Sequence, residues 1–278
     1  METNKKSISD YYDKSQFFYN LFWPKSGMHY GLWNKGTKNL KEAVENQNKV
    51  VCDVLDLQKT DRVLDAGCGI GAVSEFAVKN YGCDVVGITL SKVQLSQANK
   101  RLLNTSLKRK LKFLIMDYTD TGFERGSFSK ILAIESICHA DKKIDFIKEA
   151  FRLLKPGGKI AVSDAFIKRS KLNLEEEELY KKFLHALALP NIANKNNFEN
   201  EMKKTGFKKI KFYDKLEEVR RSSDLMHKYA SRSLPFITVL RRLKIVPEVL
   251  YQNNVAGVVQ KLLADKGVFV YGIFTGEK

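Results

Sequence analysis

Residues 131–140, ILAIESICHA, set Glu135 and His139 four apart, just past an apolar run. A carboxylate there can hold a cation, and an imidazole, whose unperturbed pKa lies near neutrality, can take a proton at physiological pH. His139 is the candidate general base, in competition with a reading in which it opens a helix and bonds local backbone. Glu135 is the candidate holder of a cofactor or of a cationic substrate. A second stretch, VLDAGCGIGAVS at 63–74, is a glycine-rich turn after an apolar run. Gly67, Gly69 and Ala72 satisfy the G-x-G-x-x-G/A spacing by which a backbone approaches a dinucleotide. Asp65, Gly67, Gly69 and Gly71 equally spell D-x-G-x-G-x-G, in which the carboxylate suits a cationic ligand and repels a pyrophosphate.

Acids elsewhere separate the two ligands. A dinucleotide site needs a carboxylate about 20 residues beyond the first glycine, at the end of the second strand. That strand ends here in Gly87-Ile88-Thr89-Leu90-Ser91, with none. The third strand ends in Asp117 of IMDY, where a carboxylate can accept a hydrogen bond from an adenine amino group while Tyr118 packs nearby. The missing acid and the present one favour S-adenosylmethionine (SAM), with S-adenosylhomocysteine as product, and make the match of Ala72 accidental.

The elements that must position these residues follow from periodicity. RVLDAG, CDVVGIT, KFLIMD, SKILAIE, KIAVSDAF, KIKFYD and VFVYGIFTG read as seven strands. AVSEFAVKNY, KVQLSQANKRLL and KIDFIKEAFRLL, with apolar residues three and four apart, read as crossover helices between them. The alternation predicts an α/β fold: a doubly wound, seven-stranded, mostly parallel sheet of Rossmann-like type, with a helical cap from insertions. In PGGK, 156–159, a proline and two glycines stop the third helix. Ahead of the core, Leu40, Val44, Val51 and Leu55 share one helical face that should pack on the sheet, with Thr37 as N-cap. The chain divides into an N-terminal helical segment, 1–60, covering the cofactor; a cofactor-binding core, 61–167; a cap insertion, 168–205; and the last strands, 206–278, interrupted by a lid insertion at 218–264. All belong to one domain. In the cap insertion Leu179, Phe183 and Leu187 form an apolar stripe that Pro190 terminates.

Bulk properties narrow the class. The chain has 278 residues, 44% hydrophobic and 29% charged, within the range of a single core. No apolar run reaches membrane-spanning length and METNKKSISDYYDKSQFF has no signal-peptide core, so a cytoplasmic location is expected. Four cysteines without a C-x-x-C pair and four scattered histidines suggest reduced thiols and no metal site. The net charge of +16, spread at helical spacing, reads mainly as a solvated surface, and no nucleic-acid partner is expected.

VLDAGCGIGAVS, IMDYTD, ILAIESICHA and LLKPGGKIAVSD, in this order, resemble the successive motifs of class I SAM-dependent methyltransferases. The resemblance covers roughly residues 8–165. YYDKSQFF, GMHYGLW and VVGITLSKVQ are similar to a narrower branch that holds tocopherol, sterol and sarcosine/dimethylglycine methyltransferases, natural-product methyltransferases and cyclopropane fatty acid synthases. By that resemblance Thr89, Leu90 and Gln94 replace the missing ribose acid, and Ile134 joins Asp65, Gly67, Gly69, Asp117 and Tyr118 around the cofactor. The branch folds its N-terminal segment over the cofactor, which implies Tyr12, His29 and Tyr30 near the methionine end. An aromatic helix packed on the core is the competing reading for 11–33. Cyclopropane synthases carry a glutamate of a bicarbonate site where this chain has Cys138, and a cysteine near the position of Tyr30. Cyclopropanation is therefore disfavoured and simple methyl transfer expected.

A sulfonium is already an activated methyl donor, so alignment and exclusion of water are the enzyme's main tasks. The expected acceptor is a small hydrophobic metabolite: an isoprenoid, a phenolic or quinol ring, or an amine. In SRSLPFITVLRRLKIVPEVL, 231–250, apolar residues accompany Arg232, Arg241, Arg242 and Lys244. This stretch reads as a lid over such a substrate, as a peripheral contact with an anionic membrane, as a site for an anionic head group, or as an ordinary cap helix with its basic residues in water. An RNA-binding protein lacks support, because no RNA-recognition or base-handling signature is present. Intact Asp65, Gly67, Gly69 and Asp117 weigh against an inactive scaffold.

Overall fold

The computed structural model describes residues 5–103, 106–169 and 171–278. Residues 1–4 of the N-terminal segment and 170 of the cap insertion lie outside the described residues. The helices are α1 (Lys5–Phe22), α2 (Leu40–Val54), α3 (Ala72–Tyr81), α4 (Lys92–Lys100), α5 (Lys143–Leu153), α6 (Leu174–Ala186), α7 (Lys195–Thr205), α8 (Leu216–Arg242) and α9 (Glu248–Asp265). The strands are β1 (Arg62–Ala66), β2 (Asp84–Thr89), β3 (Leu111–Ile115), β4 (Phe128–Ile134), β5 (Leu154–Ile167), β6 (Lys208–Asp214) and β7 (Phe269–Glu277).

All seven expected strands join one sheet, in the order β3-β2-β1-β4-β5-β7-β6. β1 to β5 run parallel, and β7 is antiparallel to both β5 and β6. The order reverses between β1 and β4, and at such a switch point a crevice opens outside the carboxyl ends of the strands. Asp65 and Glu135 stand at the ends of these two strands. The central strands are apolar on both faces because helices cover both. One core layer joins Phe146, Ile147 and Leu153 of α5 and Phe198 and Met202 of α7 to Ile131, Ile160 and Phe274 of the sheet. The other joins Val51 and Cys52 of α2, Ala77 and Val78 of α3 and Ala98 of α4 to Val63, Val85 and Leu132.

Three local readings need adjustment. The N-cap of α2 is Asn39, not Thr37: Asn39 is extended and its side-chain oxygen accepts the Glu42 N–H, whereas Thr37 lies two residues too early and accepts from Asn34 N–H. Helix α4 stops at Lys100 and does not run to Leu103. The Arg101 guanidinium leaves the helix line to donate to Ile70 O (2.7 Å) and to Glu75 (2.6 Å), tying the helix end to the glycine turn. Helix α7 packs on α5 and β6 and shares their core, so only α6 of the cap insertion joins α9, where Phe183 meets Ala256, Val259 and Phe269. Helices α8 and α9 form an antiparallel pair inserted between β6 and β7.

Candidate active site

The turn after β1 departs from the strand through three glycines in the left-handed region, Gly67 (φ 85°), Gly69 (φ 53°) and Gly71 (φ 76°). A Cβ on Gly67 would fall 2.4 Å from Ser136 Cβ, and one on Gly71 would fall 2.4 Å from the Phe113 ring, so both need glycine for space as well as for φ. Asp65 is buried; its carboxylate accepts from Ser74 Oγ at 2.5 Å, and burial raises its pKa to about 7.

At the end of β4 the chain turns sharply. Glu135 adopts φ 47°, a conformation costing of order 1 kcal/mol or more for a residue with a Cβ. Its Oε1 accepts the Tyr30 backbone N–H and the Tyr271 hydroxyl, both at 2.7 Å. Tyr271 lies on β7, and Gln47 Nε2 of α2 donates to its hydroxyl (3.0 Å) and to Ser163 Oγ of β5 (2.6 Å). Burial outweighs these hydrogen bonds and raises the Glu135 pKa to about 8. Among the described residues neither Glu135 nor Asp65 has an ion-pair partner, so two adjacent strand ends present carboxylates without a cation.

A single 3-10 turn, Ile137–His139, follows. It is held from below by Lys143, whose Nζ donates to the carbonyls of Ala140 (2.6 Å), Cys138 (2.9 Å) and Asn191 (3.1 Å). Asp164 accepts the Cys138 N–H at 3.2 Å, and the Tyr118 hydroxyl donates to Ser136 O at 2.8 Å. His139 is 9% exposed, and burial, with the charge of Lys143, lowers its pKa to about 3. Its Nε2 is 2.7 Å from the Tyr12 hydroxyl, while Nδ1 is buried without a hydrogen-bond partner among the described residues. Burial holds the Tyr12 phenol well above its usual range, so both members of the pair are neutral.

Helix α1 roofs the crevice. Ile8, Tyr12 and Tyr19 line it, and the Tyr11 hydroxyl ties α1 to α9 through Asn253 Oδ1 (2.6 Å). Asp13 accepts from Ser91, the N-cap of α4, and Lys5 pairs with Asp117 at 2.5 Å.

Residues 1–219 match the profile of the mycolic acid cyclopropane synthetase family. The chain belongs to that family. It is 27% identical over 235 residues to a chloroplastic tocopherol O-methyltransferase of Arabidopsis thaliana, covering 78% of this chain and 67% of that one. It is 26% identical over 217 residues to the methyltransferase GfsG of Streptomyces halstedii, covering 77% of each. Among solved structures, the cyclopropane synthase MmaA2 of Mycobacterium tuberculosis superposes with a TM-score of 0.82 at 23% identity, over 99% of this chain and 98% of that one. The chain is a class I SAM-dependent methyltransferase, and SAM is its cofactor. The crevice fits a cation of that kind: among the described residues its two carboxylates lack one, and the glycine turn between them leaves a cradle that a Cβ at Gly69 would enter, with Met28 Cε at 3.5 Å and Gln94 Nε2 at 3.9 Å.

The family's crevice gathers most of the residues singled out in the sequence. Tyr12, His29, Asp65, Gly67, Gly69, Thr89, Leu90, Gln94, Tyr118, Ile134, Glu135 and His139 all line one cavity. Thr89 and Gln94 are joined by a side-chain hydrogen bond of 2.9 Å. Tyr30 and Asp117 stand outside that lining. The Tyr30 hydroxyl donates to Gln260 Oε1 of α9 (2.9 Å), and only its backbone N–H reaches the site, through Glu135. The Asp117 carboxylate is taken up by Lys5 and by the Thr119 N–H (2.8 Å), while its neighbour Met116 faces the cavity. Sequence reasoning missed Tyr19, Met28 and Ser136 in the wall and Tyr271 and Gln47 behind it. YYDKSQFFY hints at Tyr19, but nothing local marks a β7 tyrosine as a partner of Glu135.

Proposed function

We propose that this enzyme transfers the methyl group of SAM to a hydroxyl of a small apolar acceptor of phenolic or isoprenoid-derived type, with His139 as general base and Tyr12 as its positioning residue. The observation that carries this reading is the neutral Tyr12–His139 pair in the cavity wall. Bound SAM supplies an activated methyl on a cationic sulfur. Asp65 and Glu135 offer the negative charge that holds such a cation, and Tyr12, Tyr19 and Ile8 of α1 exclude water above it. With His139 in the tautomer whose Nε2–H donates to the Tyr12 oxygen, the unpartnered Nδ1 keeps its lone pair. Nδ1 would accept the proton that the acceptor hydroxyl loses when it takes the methyl group that bound SAM would supply. The imidazolium restores to the cavity the positive charge that methyl transfer removes, so a base of low resting pKa suffices.

The tocopherol O-methyltransferase relationship supports a prenylated phenol as the first acceptor to try. Incubation with labelled SAM and a panel of phenols, quinols, isoprenoid alcohols and amines tests the reading. Label on phenolic or alcoholic oxygen supports it, and label only on amines overturns it. The family relationship favours a second reading, a lipid-modifying enzyme, which the same labelling of membrane lipid extracts detects as label in acyl chains. Cys138, at the glutamate position of cyclopropane synthases, weighs against that reading.

A further inference from the structure

Helix α8 is 27 residues long, and the outer face of its C-terminal half carries an apolar stripe. Tyr229, Arg232, Phe236, Val239 and Leu243 recur at spacings of three and four, which places them on one stripe of the helix. All five are exposed, with Tyr229 at 67%, Phe236 at 66% and Leu243 at 63%. Ile245, 65% exposed, extends the stripe into the turn before α9. The opposite face is the one that holds the fold: Ala230 and Ile237 are buried, Ala230 lies against Gly257, and Ser233 Oγ donates to Asn254 Oδ1 at 2.6 Å. The outward stripe is therefore dispensable for packing.

Charge identifies what covers it. Residues 225–247 contain five basic side chains, Lys228, Arg232, Arg241, Arg242 and Lys244, and no aspartate or glutamate. Arg241 is paired with Glu248 (2.5 Å) and stacks on Tyr251, but Lys228, Arg232, Arg242 and Lys244 have no ion-pair partner among the described residues. An exposed apolar stripe bordered by unneutralised cations complements an interface that offers both acyl chains and negative head groups. We propose that the outer face of α8 docks on an anionic lipid bilayer. Phe236, Val239 and Leu243 enter the head-group boundary, and Arg232 and Arg242 contact lipid phosphates. Helix α9 lies between this face and the crevice roof, to which Tyr11 and Asn253 link it, so docking would set the active site a helix's width from the membrane.

Flotation of the full chain with vesicles of phosphatidylcholine alone, or with equimolar phosphatidylglycerol, tests this. Binding at low salt should be at least about tenfold stronger to the anionic vesicles and should fall steeply as salt rises. The double variants Phe236→Ser/Leu243→Ser and Arg232→Glu/Arg242→Glu should each lose about tenfold or more in partitioning while keeping wild-type SAM affinity and melting temperature, because none of these residues packs inward. Equal binding to both vesicle types, or unimpaired binding by the charge-reversed variant, would overturn the proposal. So would sedimentation showing that the Phe236→Ser/Leu243→Ser change dissolves a dimer, since the stripe would then belong to a second copy of the chain.

Discussion

Replacing Glu135 with glutamine should make the ligand-free protein more stable and the SAM complex weaker, and the size of the first effect should depend on pH in a defined direction. Glutamine retains the oxygen that accepts from Tyr30 N–H and Tyr271 hydroxyl, and removes only the capacity to ionise. Burial raises the folded-state pKa from 4.5 to about 8, so the native carboxyl binds its proton more tightly than the unfolded one. Stability from this group is then fully present below pH 4.5 and is lost as pH rises towards 8. At one pKa unit per 1.4 kcal/mol, the full difference is roughly 5 kcal/mol, and residual solvent access through the cavity that Glu135 lines reduces it to about 2 kcal/mol. For a chain of this size that is a rise of roughly 4–8 °C in melting temperature. Thermal unfolding of both proteins without SAM, at pH 5 and at pH 8.5, reads it directly: nearly coincident curves at pH 5 and a more stable variant at pH 8.5. Curves separated by the same amount at both pH values would show that Glu135 has an ordinary pKa. A variant less stable at pH 8.5 would show that the Tyr271 and Tyr30 hydrogen bonds outweigh desolvation. Calorimetry should place the variant's SAM affinity about tenfold or more below wild type, because the carboxylate no longer meets the cation.

Other perturbations address the remaining parts of the site. His139→Ala should lower turnover by about a hundredfold with SAM affinity nearly unchanged, and Tyr12→Phe by about tenfold through loss of the tautomer; unaltered turnover in His139→Ala would return that residue to a structural role. With its pKa near 3, His139 should give a turnover–pH profile at saturating SAM with no acid limb between pH 5 and 7, and an inflection near 6.5 would contradict the burial assigned to it. Gly67→Ala should abolish SAM binding, and because strain at φ 85° persists when the clash is relieved, the added change Ser136→Gly should restore binding only in part; full restoration would mean that the clash alone is responsible. SAM binding at pH 7 should release protons, since the cation favours ionised Glu135 and Asp65, and calorimetry in buffers of different ionisation enthalpy should then give different apparent heats.

The sheet was legible because alternation of apolar runs with amphipathic segments is a property of adjacent residues. AVSEFAVKNY coincides with α3, and the glycines of 67–71 announce a backbone approach that φ confirms. What was not legible depends on residues far apart in the chain. Asp117 looks free in IMDY until Lys5 of α1 is folded against it. Tyr30 looks like a ligand-facing aromatic until Gln260, 230 residues away, takes its hydroxyl. The partnership of Glu135 with Tyr271 links the ends of β4 and β7, and the Tyr12–His139 pair links α1 to the turn after β4; neither leaves a local pattern. Even the cap of α2 was decided by two competing side chains within three residues, where periodicity has no resolving power.

Strand β7 lies between β5 and β6, although it follows both in the chain. During synthesis, β5 and β6 therefore emerge before the strand that joins them, each with an unpaired edge of the kind that recruits other chains. β7 also brings Tyr271 to Glu135, so a chain without it lacks one of the two donors that hold the Glu135 carboxylate in place. Assembly of the sheet and completion of the crevice are thus one late event, and a folding intermediate that still lacks β7 would be both aggregation-prone and unable to hold its cofactor firmly.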